Sequence, residues 1–174
     1  FNNHGSDVIL DRIKSNKKKG VLGINVGPNK DSNNRMNDYL IGIEKFYEVA
    51  DYITINISSP NTENLRNFHE ETKLQELLKS ITKKKKDLKT KIPIAIKISP
   101  DIHENQINLI SEILLDNDIS AIIISNTSET SRETLVNIQK HQKGGLSGKP
   151  IEKKSNILIS KFYNIFKGKI KIVG

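Results

Sequence analysis

The amino-acid sequence predicts an α/β protein whose parallel strands form part of a (β/α)8 TIM barrel. Short strand-like segments alternate with segments of helical periodicity, as in parallel sheets with helical crossovers. Three successive strands are apolar only at every second position, whereas strands covered on both faces are apolar throughout. The other positions become small and polar toward the carboxyl end, where a barrel places its site.

The elements follow one another in the order α(βα)4β. A first helix is predicted from an apolar stripe at residues 8–13, with Ser6 as its N-cap. Strands are predicted at residues 21–27, 52–58, 92–99, 120–125 and 169–174. Helical stripes follow all but the last strand, at residues 36–47, 74–81, 107–114 and 157–165. The segment ITINIS is typical of these strands, because isoleucines alternate with Thr54, Asn56 and Ser58.

The length predicts an incomplete barrel. A full barrel has eight strands and typically about 250 residues, whereas this chain has 174 residues and about five predicted strands. We therefore expect residues 1–174 to be one barrel domain truncated at both ends. The two unpaired edges of such a sheet predict that the chain alone is marginally folded and inactive.

Composition excludes several classes of function. The chain has no cysteine, which rules out disulfides, thiolate metal sites and a cysteine nucleophile. Its four histidines lack metal-ligand spacing, so no metal site is predicted. No apolar run reaches the roughly 18 residues of a membrane span, and the start lacks a signal-peptide layout, so the chain is predicted to be soluble.

The net charge of +8 leaves a nucleic-acid-binding module as an alternative of a different class. Lysines are spread over many segments, however, and are dense only at residues 83–86, near the C-terminal end of a predicted helix. Cations are favourable there because of the helix dipole. The sequence therefore predicts no nucleic-acid partner.

Polar residues recur at the predicted strand ends: Asn25, Asn56, Lys97, Ser125 and Asn126. An inward asparagine alone is more often a satisfied structural amide than a ligand. Several amides around one lysine, however, offer donors, acceptors and a positive charge to a flat heteroaromatic ligand with an anionic form.

The segment KGGLSGKP at residues 143–150 precedes the last predicted helix. Glycines allow backbone N–H groups to approach a phosphate, and a helix N-terminus favours negative charge. A plain glycine turn explains the segment about as well.

Taken in order, the motifs FNNHG, GINVGPNK, ADYITINISSPNTENLR, IKISPD, IIISNTS, GGLSGKP and KIVG resemble dihydroorotate dehydrogenases of class 2, the quinone-linked type. The resemblance covers essentially the whole chain. It implies an enzyme that binds FMN in a barrel, oxidises dihydroorotate to orotate in pyrimidine biosynthesis and passes electrons to a quinone. It also implies peripheral contact with the cytoplasmic side of the inner membrane, through a helical segment absent from this sequence.

The resemblance also implies roles for individual residues. Ser59 would be the catalytic base that takes a proton from C5 of dihydroorotate while hydride leaves C6, with Thr62 near the water that relays the proton. Lys97 would stabilise the anionic reduced flavin. The residues implied to bind the cofactor are Asn25, Asn56, Lys97, Ser125, Ser147 and Gly148. Those implied to line the substrate pocket are Phe1, Asn56, Asn61, Asn126 and Thr127.

The sequence departs from the family pattern in places. Pro28 replaces the usual lysine, and the run NTSETSR is longer than its usual counterpart, which could alter the loop over the pocket. The runner-up among enzymes is another FMN barrel acting on a dihydropyrimidine-type ring. Those relatives generally use cysteine as acid or base, so Ser59 argues against this alternative.

Overall fold

The computed structural model describes residues 3–17, 19–59, 65–130, 132–133 and 135–174. Within them the strands are β1 (Gly23–Val26), β2 (Tyr52–Asn56), β3 (Ile94–Ile98), β4 (Ala121–Ile124) and β5 (Lys171–Val173). The α-helices are α1 (Ser6–Ser15), α2 (Arg35–Phe46), α3 (Glu71–Asp87), α4 (Glu104–Leu115) and α5 (Lys149–Phe166). Short 3₁₀ helices lie at Leu65–His69 and Ile138–His141.

The strands form one parallel sheet in the order β1-β2-β3-β4-β5. Neighbours in the sheet are thus neighbours in the chain, as in a stretch of barrel wall, whereas a doubly wound sheet reverses its strand order. Every strand lies within its predicted range, and the order α(βα)4β is confirmed. The predicted fold class, a partial (β/α)8 barrel, is also confirmed.

One face of the sheet is sealed by the helices. Ile53, Ile55 and Ile57 are fully buried, and so are helix residues of the same core, such as Leu77 and Phe162. Burial of each such side chain contributes about 1.5–3 kcal/mol. The hydrophobic core therefore lies between the sheet and its helices and fixes the strands that carry the site.

The other, inner face is apolar at its base and polar at its carboxyl edge. A cavity of about 210 Å³ lies at the base and is lined in part by Tyr52, Ala95, Ala121 and Ile123. Further toward the carboxyl ends of β2 and β3, the inward side chains become the amide of Asn56 and the ammonium group of Lys97. The change places polar chemistry at one edge only, as the alternating pattern predicts.

Two features of the helices bear on the predictions. The N-cap of α1 is Gly5 rather than Ser6, because the positive φ of Gly5 turns the chain and the carbonyl of Gly5 already accepts from the N–H of Ile9 (3.2 Å). The lysine run falls in the last turn of α3, as predicted.

In the described part of the chain, no helix has an apolar stretch long enough to cross a bilayer.

Candidate active site

The described site residues lie at the carboxyl edge of the sheet. Asn25, Asn56 and Lys97 belong to the strands β1, β2 and β3, and Asn56 pairs directly with Lys97 in the sheet register. Ser125, Asn126 and Thr127 follow β4, and Ser147 and Gly148 come immediately before α5. Phe1, Asn61 and Thr62 lie outside the described residues, so their roles stay predictions.

A buried hydroxyl joins two of the predicted amides. Ser58 donates from its backbone N–H (3.2 Å) and from its Oγ (2.9 Å) to Oδ1 of Asn56. Asn126 Nδ2 donates to the same Oγ (3.0 Å), and the Thr127 N–H donates to Asn126 Oδ1 (2.8 Å). Both side-chain amides therefore have a fixed orientation. The side-chain nitrogen of Asn56, Nδ2, donates to no described residue. In the sequence, Ser58 stands out only as a polar residue of the predicted strand.

The backbone of Asn56 is also held from behind. The hydroxyl of Tyr39, a fully buried residue of α2, donates to the Asn56 carbonyl (2.7 Å). Burial raises the pKa of Tyr39, so the phenol stays a donor. Phe68 packs edge-on against its ring at 5.8 Å. The sequence contains one signal for this contact, a tyrosine on the buried face of a helix, because a buried phenol requires a hydrogen-bond partner.

Lys97 is the cationic member of the site. Its side chain is half-buried on the inner face, although the neighbouring Ile96 and Ile98 are fully buried on the other face. It forms no hydrogen bond or ion pair with any described residue. Its ammonium group is thus available to an anion or to an electron-rich carbonyl.

The beginning of α5 adds backbone donors beside β4. Gly148 is the N-cap, and its φ of 78° favours glycine. The Oγ of Ser155, in the second turn of α5, lies 3.2 Å from that of Ser125. Because the first N–H groups of a helix lack intrahelical acceptors, this end suits a phosphate.

Asp101 lies in the turn after β3, as its position after Pro100 indicates, but it does not cap the next helix, as such a Pro-Asp pair also predicts. The N-cap of α4 is His103. The Asp101 carboxylate instead forms ion pairs with Arg66 (3.0 Å) and Lys154 (2.5 Å) behind the site. Among the described residues, no cluster of three or more histidine, aspartate or glutamate side chains has the arrangement of a metal site.

Together the fold and the site define a barrel-type α/β protein whose strand ends suit a flat, polar ring with an anionic form. More particularly, the chain belongs to the dihydroorotate dehydrogenase family, whose model matches residues 1–174. This family is flavin-dependent. The family resemblance in the sequence motifs is thus confirmed.

Individual relatives agree with this assignment. The chain is 42% identical over 179 residues to dihydroorotate dehydrogenase (quinone) of Bartonella tribocorum, covering 100% of this chain and 49% of that protein. It is 43% identical over 181 residues to the enzyme of the same name from Buchnera aphidicola subsp. Schizaphis graminum, covering 100% and 54%. The ligand-free structure of DHODH from Eimeria tenella superposes with a TM-score of 0.92 at 28% identity, covering 99% and 55%. The chain thus spans about half the length of these relatives.

Proposed function

We propose that this chain forms one barrel domain over residues 1–174, part of an FMN-dependent dihydroorotate dehydrogenase. The reaction converts dihydroorotate to orotate in pyrimidine biosynthesis, with a quinone as electron acceptor. The observation that carries the proposal is the inner edge of β2 and β3, where Lys97 has no partner among the described residues and lies in register with the oriented amide of Asn56. Because quinones partition into lipid, the proposal includes peripheral attachment to the cytoplasmic side of the inner membrane.

The donor set of the site fits FMN. The side chains of Asn25, Asn56, Lys97 and Ser125 offer amides, a hydroxyl and a cation to the polar edge of a flavin ring. Ser147 and Gly148, at the beginning of α5, offer backbone N–H groups to its phosphate. When bound, FMN supplies a two-electron acceptor between the substrate and the quinone.

Lys97 contributes charge rather than proton transfer. Its ammonium group lies on a strand whose outer face is sealed by the core, so its position is set by the sheet. A fixed cation in a partly desolvated site stabilises negative charge that develops on a ring beside it. This is the electrostatic role that we assign to it.

The amides of Asn56 and Asn126, with Thr127, contact the substrate. A dihydropyrimidine ring alternates carbonyl and N–H groups along its edge, so recognition requires side chains whose donor and acceptor ends cannot exchange. The Ser58 hydroxyl supplies that constraint, because it accepts from Asn126 Nδ2 and donates to Asn56 Oδ1. Phe1 and Asn61 are the further pocket residues that the sequence predicts.

Ser59 takes the proton from C5 of the substrate. It follows Ser58 directly, so the amide network fixes the start of the loop that carries the base. An unaided serine is a weak base, and the proton must therefore pass onward, with Thr62 beside the relaying water.

Anaerobic absorption spectroscopy tests this function. The protein is expressed from the complete reading frame that encodes this chain, its visible flavin spectrum is recorded, and dihydroorotate is added. Bleaching of the flavin, reversed by a soluble benzoquinone, is the expected result. Bleaching by dihydrouracil, which lacks the carboxylate, but not by dihydroorotate would favour the dihydropyrimidine alternative, and a protein without flavin would contradict the proposal altogether.

A further inference from the structure

Asp101, in the loop between β3 and α4, lies at the centre of a network behind the site. Its Oδ1 accepts from Ser128 Oγ (2.6 Å), Thr130 Oγ1 (2.9 Å) and Lys154 Nζ (2.5 Å). Its Oδ2 accepts from the Glu129 N–H (2.8 Å) and from Arg66 (3.0 Å). One carboxylate thereby ties the loop after β4 to the helix α5 and to the 3₁₀ helix Leu65–His69.

Arg66 extends the network to both loops that carry the proposed chemistry. Its guanidinium donates to the backbone carbonyl of Ser58 (3.4 Å) and to that of Thr127 (3.1 Å). It also forms ion pairs with Asp101 and with the more exposed Glu129, both at 3.0 Å. The planar fork of arginine supplies several donors in fixed directions, which a lysine cannot reproduce.

We infer that Asp101 and Arg66 are positioning residues that hold the loop of Ser59 against the loop of Asn126. Neither side chain needs to touch the substrate for this role. The inference rests on the proposed function, since it concerns the base and the amide of that reaction. In this role, the network sets the distance between the two loops and not the conformation of either loop.

The electrostatics of Asp101 suit a permanent anchor. Its side chain is 10% exposed. Burial by itself raises the pKa of Asp101, but hydrogen bonds from Lys154, Ser128, Glu129 and Thr130 outweigh it and hold that pKa well below its usual range. A partly buried carboxylate with five donors keeps its charge, and replacement of one of its oxygens by an amide nitrogen leaves the donors on that side without an acceptor.

The chain offers a matched control on the same helix. Lys161, two turns after Lys154, pairs with Glu104 at the same distance of 2.5 Å. Glu104 is 83% exposed, however, and its side chain has no hydrogen bond or ion pair with the described residues of either site loop. Loss of the Glu104 pair therefore removes a similar ion pair without touching the network.

The test compares Asp101→Asn, Arg66→Lys and Glu104→Gln in protein made from the complete reading frame. Stopped-flow spectroscopy measures flavin bleaching by saturating dihydroorotate and, separately, flavin reoxidation by a soluble benzoquinone. Flavin content and thermal melting are recorded for each variant. Displacement of a reacting group by about 1 Å costs about 10²-fold in rate. We expect a slowing of about that size in bleaching for Asp101→Asn and Arg66→Lys, with reoxidation and flavin content within about twofold of wild type.

Glu104→Gln should match the wild type in both half-reactions. Wild-type bleaching rates in the Asp101 and Arg66 variants would overturn the inference. A parallel loss of flavin, reoxidation and bleaching would also overturn it, because a merely structural role has that signature. If Asp101→Asn does not fold, the bleaching rate of Arg66→Lys decides the question, because this variant keeps the positive charge and loses only the planar guanidinium donors. A wild type that never bleaches would instead refute the proposed function.

Discussion

The two sides of the candidate site differ in how their side chains are held. On the substrate side, Asn56 and Asn126 share the hydroxyl of Ser58, and Arg66 holds the backbone on either side. On the cofactor side, Asn25 and Lys97 form no side-chain hydrogen bond with any described residue. The first set is oriented by the protein, and the second is positioned only by its strands.

The difference follows from what each side has to bind. A substrate that arrives and leaves at every turnover gains rate from groups that are already oriented. A cofactor that stays bound becomes a permanent hydrogen-bond partner, so Asn25 and Lys97 need no other. We therefore expect substitutions on the substrate side to change rates with flavin affinity unchanged, whereas those of Asn25 and Lys97 should change flavin affinity.

Ser59→Ala should have the largest effect. Loss of a positioned base typically costs about 10²–10⁴-fold, and we expect flavin bleaching by dihydroorotate to slow by that factor at neutral pH with flavin content unchanged. Ser58→Ala is the companion variant, because it removes the hydroxyl between the amides and leaves the base. A Ser59→Ala protein that bleaches at the wild-type rate would remove Ser59 from the mechanism.

Lys97→Met should weaken flavin binding on the other side. A charge-assisted hydrogen bond contributes about 1.5–3 kcal/mol, so the Kd for FMN in a fluorescence titration should rise by about 10- to 100-fold. Lys91→Met is the control, since Lys91 is exposed before the same strand. Unchanged FMN affinity would contradict a contact between Lys97 and the flavin.

His69 links the network to stability. Its Nδ1 bonds the Arg66 carbonyl (2.8 Å), and its Nε2 accepts from the Ser99 N–H (3.4 Å), so the ring is neutral. Burial lowers the pKa of His69 from 6.5 to about 4. Between these values the unfolded chain binds the proton and the folded chain does not, so stability is full above pH 6.5 and falls as the pH drops toward 4.

The expected loss of unfolding free energy from His69 is about 3 kcal/mol across that range. In urea denaturation at several pH values, the free energy of unfolding of His69→Gln should therefore fall less at acid pH than that of the wild type, because glutamine takes up no proton. Parallel pH profiles for the variant and the wild type would contradict this assignment.

Gly145→Ala should have the smallest effect of the set. A Cβ at this position would overlap the side chain of Thr127, so Thr127 must move. We expect the KM for dihydroorotate to rise by about tenfold while FMN affinity stays constant. Gly27→Ala is the control, because a Cβ there would meet Asn56 only at an ordinary contact of 3.9 Å. An equal rise in KM for both variants would refute the steric argument.

The strands and the polar edge could be predicted because both depend on local pattern. Alternation in ITINIS sets which side chains lie inward, and parallel strands bring their carboxyl ends together. Asn25, Asn56 and Lys97 lie at the predicted edge for this reason.

The network of Asp101 and Arg66 could not be predicted in the same way. Its bonds join residues far apart in sequence, such as Lys154 and Asp101, and depend on how three loops meet. A Pro-Asp pair before a helix indicates a turn and a helix cap, so local pattern predicts the turn at Asp101 correctly, the cap wrongly and the ion pairs not at all. The same holds for Tyr39, whose partner is a backbone carbonyl on a different element.

Hydrogen exchange by mass spectrometry, with and without FMN, tests the difference between the two sides most directly. The N–H groups of Ser58, Thr127 and Glu129 bond side chains of the protein itself, so their protection should be the same in both states. The amides of residues 147–149, at the beginning of α5, should gain protection only when FMN is bound. An equal gain at Ser58, Thr127 and Glu129 would mean that the cofactor orders the substrate side, which contradicts a site oriented in advance by Asp101 and Arg66.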